Sequence, residues 1–333
     1  MIDLSIIIPT HRRRDSLAVT LKDLAGAHRH GLVVEVVVVE NDVENHSETI
    51  VDDFRARLEL RYYLEPRPGK HFALNRALDE GVGGRMIAVL DDDMSVAPNW
   101  LRGVMAITQR WPQKGYYTGR SLIRWPDGPV PDWCQFGNLS GWAYSVLNGS
   151  LVDQEISSGL WASGNCFWFR SAVLADGRRF SNPAGMDLAT HMDMHEPLFM
   201  LQLAEESLGG VVAPDAVAWH RIQRDLLDVQ NIKKRAARCG RGFAEVRLRP
   251  FRESVPIARL FQRHSLFARI YCRWHWLKES GVCLLAKWLP LPGISLGRQL
   301  HGEFLIAYYR ELLRIASQMS EYHVEFRLRT STK

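Results

Sequence analysis

The chain has 333 residues, of which 46% are hydrophobic and 24% are charged, as is ordinary for a soluble globular protein. This length predicts one large domain or two smaller ones with a sizeable core, and the composition disfavours disorder except at the ends of the chain. No run of about 18 apolar residues occurs, so no membrane-spanning helix is predicted. The five cysteines form no CxxC pair and no zinc-ligand spacing, and no leader is recognised, which predicts a cytoplasmic protein.

The net charge of +5 is unevenly distributed. Residues 221–287 contain 16 Lys and Arg against 5 Asp and Glu, so this segment carries +11 and the remainder carries −6. Basic and aromatic residues alternate there at helical spacing, which is typical of an amphipathic helix on an anionic membrane surface. An alternative is that the aromatic residues pack as core or as a homo-oligomer interface. Nucleic acid is disfavoured because no RNA-binding motif is present.

Strands and helices alternate over the first hundred residues. Continuous apolar runs predict buried strands, and apolar residues at helical spacing predict helices between them. In chain order these are strand 4–10, helix 15–24, strand 33–39, strand 60–64, helix 72–78 and strand 86–90. This alternation predicts βαβ units and an α/β fold with a mainly parallel sheet flanked by helices.

Beyond residue 100 the pattern is less regular. Residues 125–149 are rich in Pro, Gly, Asn and aromatic residues, which predicts binding loops. Helical spacing returns near residue 198, a short strand is predicted at 210–217, and amphipathic helices are predicted from 226 onward. We therefore predict an α/β domain over 1–225 and a basic, aromatic-rich helical C-terminal region over 226–333.

Three carboxylates, Asp91, Asp92 and Asp93, directly follow the strand at 86–90. Side chains just past the carboxyl end of a strand project into the crevice where open α/β sheets bind ligands. Oxygen ligands suit Mg²⁺ or Mn²⁺, which in turn suit phosphates, so the triplet predicts a metal-dependent diphosphate site. The alternative is that Asp93 or Ser95 caps a helix that begins near Pro98.

No GxGxxG or GxxxxGK[ST] follows the first strand, which removes the dinucleotide-binding and P-loop interpretations. Four motifs in this order and spacing resemble family 2 glycosyltransferases: SIIIPTHR from Ser5, VVVVEND from Val36, PGKHFALNRAL from Pro68 and LDDDM from Leu90. The resemblance continues more faintly to about Gly242. It implies the GT-A (Rossmann-like) fold, a nucleotide-sugar donor, a Mn²⁺ or Mg²⁺ cofactor and inversion at the anomeric carbon.

The same resemblance implies roles for individual residues. Residues 1–100 would form the nucleotide-sugar half and 101–225 the acceptor half. The metal would be held by Asp93, Asp91 and His220. The nucleotide sugar would be bound by Pro9, Thr10, Arg12, Glu40, Asp42, Lys70, Asn75, Asp91, Asp92, Gly164 and Asn165.

A general base is implied as well. An acceptor hydroxyl has a pKa far above 7 and must lose its proton as it attacks, and a carboxylate within hydrogen-bond reach can take that proton. The segment MHEP at 194–197 resembles the family's Glu-Asp motif at the start of a helix, which makes Glu196 the implied base. A plain helix-capping role is the alternative. The rival carboxylates are Asp193, Glu205 and Glu206.

These implications predict an inverting glycosyltransferase of polysaccharide or glycolipid biosynthesis, with a glycan or lipid-linked acceptor and a peripheral place on the inner face of the membrane. Two alternatives stay open: a sugar nucleotidyltransferase, which would release pyrophosphate, and a catalytically silent GT-A-fold protein that binds a ligand or a membrane. The side chains of Trp133, Trp142 and Trp161 are further predicted to stack on a sugar ring.

Overall fold

The computed structural model describes residues 1–147, 151–156, 164–184, 186–248, 265–288 and 295–330, with no side chain described at 265, 287–288 or 318–330. The described residues form two compact units. The first unit is formed from 1–128, 144–182 and 195–223, and the second from 129–143, 183–194 and 224–333. Two short internal segments therefore group with the C-terminal residues, and the predicted domain boundary at residue 225 stays a prediction.

The first unit is built on a mixed β-sheet. In the described part of the chain its strands are β1 Leu4–Thr10, β2 Val34–Glu40, β3 Glu59–Leu64, β4 Met86–Leu90, β5 Met94–Val96, β6 Tyr116–Arg124, β7 Gln154–Ile156, β8 Cys166–Arg170 and β9 Gly210–Arg221. The order across the sheet is β3-β2-β1-β4-β8-β6-β9-β5, and β7 pairs with β9. The first four strands in this order, β3, β2, β1 and β4, are parallel to one another, as predicted. Strand β8 is antiparallel to both β4 and β6.

The described helices are α1 Arg14–Gly26, α2 Glu48–Asp52, α3 Lys70–Asp79, α4 Trp100–Arg110, α5 Leu139–Trp142, α6 His195–Glu205, α7 Val229–Leu248, α8 Ser265–Trp288 and α9 Leu296–Thr330. Successive side chains of a strand point to opposite faces of its sheet. In β1, Ile6 and Ile8 belong to the core beneath α1, α2 and α4, and Ile7 belongs to the core beneath α3 and α6. Helices on both faces explain why β1 and β2 read as continuous apolar runs.

The elements predicted over the first hundred residues are confirmed, with ends that differ by at most two residues. The strand predicted at 210–217 is confirmed and extends to Arg221, while α2, β5 and β6 were not predicted. The helix-cap alternative for the acidic triplet is wrong. Helix α4 begins at Trp100 after Asn99, Ser95 lies inside β5, and Asp93 precedes that strand.

The second unit is helical in its described residues. Helix α7 approaches α9 closely at Gly240, where an added Cβ would lie 2.4 Å from the carbonyl oxygen of Phe304. Trp142 is 7% exposed and stacks on Phe304 at 5.3 Å between ring centroids, so it packs within this unit, and Trp161 lies outside the described residues. A search of the described helices finds none with the length and apolar character needed to cross a membrane.

Candidate functional site

The acidic triplet follows the central strand β4, and its backbone is fixed by neighbours. The carbonyl oxygen of Asp92 accepts hydrogen bonds from Thr20 Oγ1 at 2.8 Å and from Arg221 Nη2 at 2.9 Å. The Asp92 carboxylate accepts from Thr10 Oγ1 at 2.7 Å and from Arg13 Nη1 at 3.3 Å. Both oxygens of Asp92 are therefore occupied by protein donors at the carboxyl end of β1.

Asp93 has a different environment. Its Oδ2 accepts from Arg13 Nη1 at 3.0 Å and lies 3.4 Å from His220 Nε2, while His220 Nδ1 donates to the carbonyl oxygen of Tyr144. Among the described residues, the buried Oδ1 of Asp93 has no hydrogen-bond partner. Burial alone would raise the pKa of Asp93, but the hydrogen bond and charge of His220 and the charge of Arg13 lower it to about 2.

The other two carboxyl groups are perturbed in the opposite direction. Burial, followed by the charge of Asp93, raises the pKa of Asp92 to about 6. Burial is also the main cause that raises the pKa of Asp91. The pKa of His220 is raised, because the hydrogen bond and charge of Asp93 outweigh the effect of burial. The electrostatics at this edge of the sheet therefore favour an added cation.

Lys70 joins the triplet to α6. It is the first residue of α3 and follows Gly69, whose φ of 131° lies in a region that L side chains rarely adopt. Its Nζ lies 2.5 Å from Asp91 Oδ1 and 2.5 Å from Glu196 Oε1. Burial by itself would lower the pKa of Lys70. The charges of Asp91 and Glu196 raise this pKa by more than burial lowers it, so the ammonium stays protonated between the two carboxylates.

Glu196 lies in the first turn of α6 and is 6% exposed. Its Oε2 lies 3.1 Å from His195 Nε2. Gly164 packs directly against it, since an added Cβ would lie 3.0 Å from Cδ of Glu196. The next residue, Asn165, accepts a hydrogen bond from the backbone nitrogen of Asp91 at its carbonyl oxygen, 3.0 Å away. The Gly164-Asn165 pair therefore connects the predicted base to the acidic triplet.

A second cluster lies at the ends of β1 and β2. Glu40 is fully buried, and it accepts from the Arg12 backbone nitrogen at 2.9 Å and from Ser47 Oγ. Arg12 has a left-handed φ of 55°, and its Nε donates to Asp42. The Arg12 hydrogen bond is the main cause that holds the pKa of Asp42 well below its usual range. Glu40 thus shapes this loop, and Asp42 fixes the Arg12 side chain.

The structure does not bring every predicted residue to the triplet. Asn75 uses both ends of its amide on the backbone of Phe180, at 2.9 Å each. Pro9 lies in β1 beside Val39. By contrast, six predicted residues contact the triplet directly or through one neighbour: Thr10, Lys70, Glu196, His220, Gly164 and Asn165.

Two residues that sequence reasoning missed organise this site. Arg13 bridges the carboxylates of Asp92 and Asp93, and its signal was its place just past β1, beside the end of β4. Asn41 donates to the carbonyl oxygen of Arg67 at 2.7 Å and accepts from the Gly69 nitrogen at 3.0 Å. It therefore holds the loop that presents Lys70.

Comparison with known proteins gives one family match. Residues 5–130 match the family described as glycosyl transferase family 2. Succinoglycan biosynthesis protein ExoM of Rhizobium meliloti is 26% identical over 215 residues, which cover 62% of each protein. Chondroitin synthase of Escherichia coli is 30% identical over 105 residues, which cover 31% of this chain and 15% of that protein. The uncharacterized protein y4gI of Sinorhizobium fredii is 30% identical over 132 residues, or 38% of this chain and 14% of that protein.

Each of these alignments spans less than two thirds of the relative's length. Among solved structures, the mannosyltransferase PcManGT from Pyrobaculum calidifontis, in complex with GDP-Man and Mn²⁺, has a TM-score of 0.59 and 17% sequence identity. The match covers 93% of this chain and 86% of that one. At this identity the similarity concerns the fold, and it confirms the predicted GT-A-like architecture with a helical C-terminal region.

Proposed function

We propose that this chain, whose residues 5–130 match glycosyl transferase family 2, moves a sugar from a nucleoside-diphosphate sugar to an acceptor hydroxyl with inversion. The acceptor is a glycan or lipid-linked sugar of polysaccharide or glycolipid biosynthesis. Two relatives named for polysaccharide synthesis, ExoM and chondroitin synthase, support this choice of acceptor class.

One observation carries the proposal. A protonated lysine, Lys70, lies between Asp91 of the acidic triplet and Glu196, which follows Lys70 by 126 positions in the chain. This arrangement supports the proposal, because it brings a cation and the proposed base, Glu196, next to the carboxylates proposed to hold a metal and a diphosphate. Leaving-group stabilisation and proton removal are the two tasks that glycosyl transfer requires.

The residues present fit a divalent metal ion. Asp93 offers the buried Oδ1 that has no hydrogen-bond partner among the described residues, and Asp91 and His220 would complete the donor set. Carboxylate oxygens with one imidazole nitrogen suit Mn²⁺, and carboxylates alone suit Mg²⁺. When bound, the ion would offset the negative charge of the departing diphosphate.

The protein's own groups would perform the remaining steps. Glu196 takes the proton of the acceptor hydroxyl, whose oxygen forms a bond to the anomeric carbon. The bond from that carbon to the diphosphate oxygen breaks, and the nucleoside diphosphate leaves with the electron pair. Gly164 leaves room beside the Glu196 carboxylate, and Lys70 balances its charge before the acceptor binds. The second cluster, at the ends of β1 and β2, would bind the nucleoside, with Arg12 held by Asp42 and the loop shaped by the buried Glu40.

The test is the release of nucleoside diphosphate from a panel of UDP-, GDP- and dTDP-sugars with Mn²⁺. We expect Glu196→Gln to lower kcat at least 100-fold, because general base catalysis contributes about 10²–10⁴-fold, while nucleotide affinity stays. The matched control is Glu206→Gln, a rival carboxylate that is half exposed and paired with Arg178. Full activity of the Glu196→Gln variant would overturn the assignment of the base. Loss of activity in the Glu206→Gln variant would overturn it as well.

The same assay separates the two alternatives. A sugar nucleotidyltransferase would release pyrophosphate from a nucleoside triphosphate and a sugar phosphate. A silent fold would bind nucleotide without turnover of any donor. Either result would contradict the proposed activity.

A further inference from the structure

The outward side of α8 is a continuous apolar face. Six of its large side chains illustrate the exposure: Leu266 68%, Ile270 54%, Trp274 57%, Leu277 60%, Leu284 59% and Leu285 50%. At 100° per residue these positions fall within one sector of the helix. Monomeric soluble proteins rarely expose a contiguous set of this kind, and larger patches mark interaction sites. We call this set the α8 face.

The orientation of α8 is fixed by its opposite side, which packs on α9. Ala268 and Cys272 are fully buried, and Glu279 forms an ion pair with Arg298 of α9 at 2.7 Å. The ring of His275 stacks on Tyr309 of α9 at 5.0 Å between centroids. The helix is therefore held by one side, and its apolar face points away from these contacts.

The charges around the α8 face have one sign. Arg273 and Lys278 are exposed at its two edges. Glu279 is the acidic residue within 265–288, and it is 4% exposed and neutralised by Arg298. An apolar centre that includes Trp274, flanked by cations, is the pattern of a helix that lies in the interface of an anionic bilayer.

We propose that the α8 face is a docking surface for an anionic lipid membrane, on which α8 lies parallel to the surface. The 20 positions from Leu266 to Leu285 span about 30 Å at 1.5 Å per residue, so the face is long enough to bury several side chains at once. Exposed cations at its edges attract anionic headgroups. This surface lies in the second unit and does not depend on the proposed transfer activity.

The charges also favour a membrane over a second copy of this chain. A two-fold interface brings the same patch of both subunits together. Arg273 and Lys278 of each copy would then meet the cations of the other, with no exposed acidic residue of α8 to pair with them. An anionic bilayer supplies the missing negative charge.

The experiment is flotation of the full chain with vesicles of phosphatidylcholine alone and of phosphatidylcholine mixed with phosphatidylglycerol. We expect binding to the anionic vesicles, weakened by salt. Ile270→Gln with Trp274→Gln should lower the partition coefficient at least tenfold, since two large apolar side chains lose their burial. Arg273→Gln with Lys278→Gln should lower it roughly 10- to 30-fold on anionic vesicles.

The control replaces two exposed apolar residues of the first unit, Val33→Gln with Leu151→Gln, and should bind as the parent does. Thermal melting checks that each variant folds, and light scattering gives its mass. Absence of binding to anionic vesicles, or binding that ignores both α8 variants, overturns the proposal. A dimer that the Ile270 and Trp274 substitutions dissociate, without lipid binding, would instead make a second copy the occupant.

Discussion

Asp92 and Asp93 are adjacent in sequence, yet their carboxylates have different partners. Thr10 and Arg13 occupy both oxygens of Asp92. Asp93 shares Arg13 and faces His220, and its other oxygen is buried without a hydrogen-bond partner among the described residues. Protein donors therefore satisfy Asp92, whereas Asp93 retains an oxygen that can ligate a cation.

This difference predicts unequal effects of amide substitutions. Asp93→Asn should lower the apparent affinity for Mn²⁺ in the presence of a nucleoside diphosphate by at least tenfold, since a ligand charge is removed. Asp92→Asn should retain most of that affinity, because its role is to hold Thr10 and Arg13. Isothermal titration with Mn²⁺ measures both. Equal losses in the two variants would contradict the distinction.

At the scale of the elements, strand pairing depends on one glycine. Strands β6 and β9 are parallel, with a register shift between Gly119 and Arg120. A Cβ on Gly119 would lie 2.1 Å from the carbonyl oxygen of Ala216 in β9. This oxygen belongs to the backbone of a paired strand, so it cannot move aside as the end of a flexible side chain can. Glycine is therefore needed for the two strands to approach.

We expect Gly119→Ala to lower the free energy of unfolding by about 1–3 kcal/mol, the range for overpacking. Gly26→Ala is the matched control, because a Cβ at that helical position meets nothing within 4 Å. It should be neutral or stabilise by about 0.4–1 kcal/mol through the unfolded chain. Urea unfolding measures both, and a stable Gly119→Ala variant would refute the close approach.

A second element-scale prediction concerns pH and the connection of α4 to the segment before β7. Asp153 accepts from Arg110 Nη2 at 2.8 Å and from Trp111 Nε1 at 2.9 Å. The Arg110 hydrogen bonds are the main cause that lowers the pKa of Asp153. A lowered pKa in the folded state means that ionised Asp153 stabilises the fold above the unfolded pKa of about 3.9, and this stabilisation is lost as pH falls through the folded pKa.

Asp153→Asn should therefore destabilise the protein at pH 7, and this effect should disappear as pH falls below the unfolded pKa and through the lower folded pKa of Asp153. The loss should be below about 1 kcal/mol, because both side chains are partly exposed. The control is the exposed Asp53→Asn. Urea midpoints between pH 7 and pH 2 test the sign: a deficit that grows toward acid would contradict it.

At the scale of the whole molecule, the candidate site residues named above belong to the first unit, which has its own two cores. We expect a nucleoside diphosphate with Mn²⁺ to stabilise this unit alone. At 100 times Kd the gain is about 2.7 kcal/mol, or roughly 5–10 °C for a unit of this size. Calorimetry should show one transition that moves and one that does not, and chelation of the metal should reverse the shift. Equal movement of both transitions would contradict the expectation.

The sequence alone was sufficient for the parallel part of the sheet and for the position of the acidic triplet. Strands covered on both faces, such as β1, β2 and β4, are short continuous apolar runs, and helical spacing is equally local. Strand β6 was missed because its own sequence is not a continuous apolar run. Its pairing with β9 also joins residues about a hundred positions apart, which no local pattern shows. The motifs were sufficient to predict the family whose match covers residues 5–130, since motifs depend on residue order alone.

Only the tertiary structure decided which charges meet. Lys70 reaches Glu196 across 126 positions, and Arg13 reaches Asp92 and Asp93 across 79 and 80 positions. No local pattern encodes these pairs, because they arise when distant strand ends and helix starts converge at one edge of the sheet. In the same way, the basic and aromatic composition of α8 was visible in the sequence, whereas its exposed side was set by packing on α9. Local periodicity fixes elements, and long-range packing fixes partners and exposure.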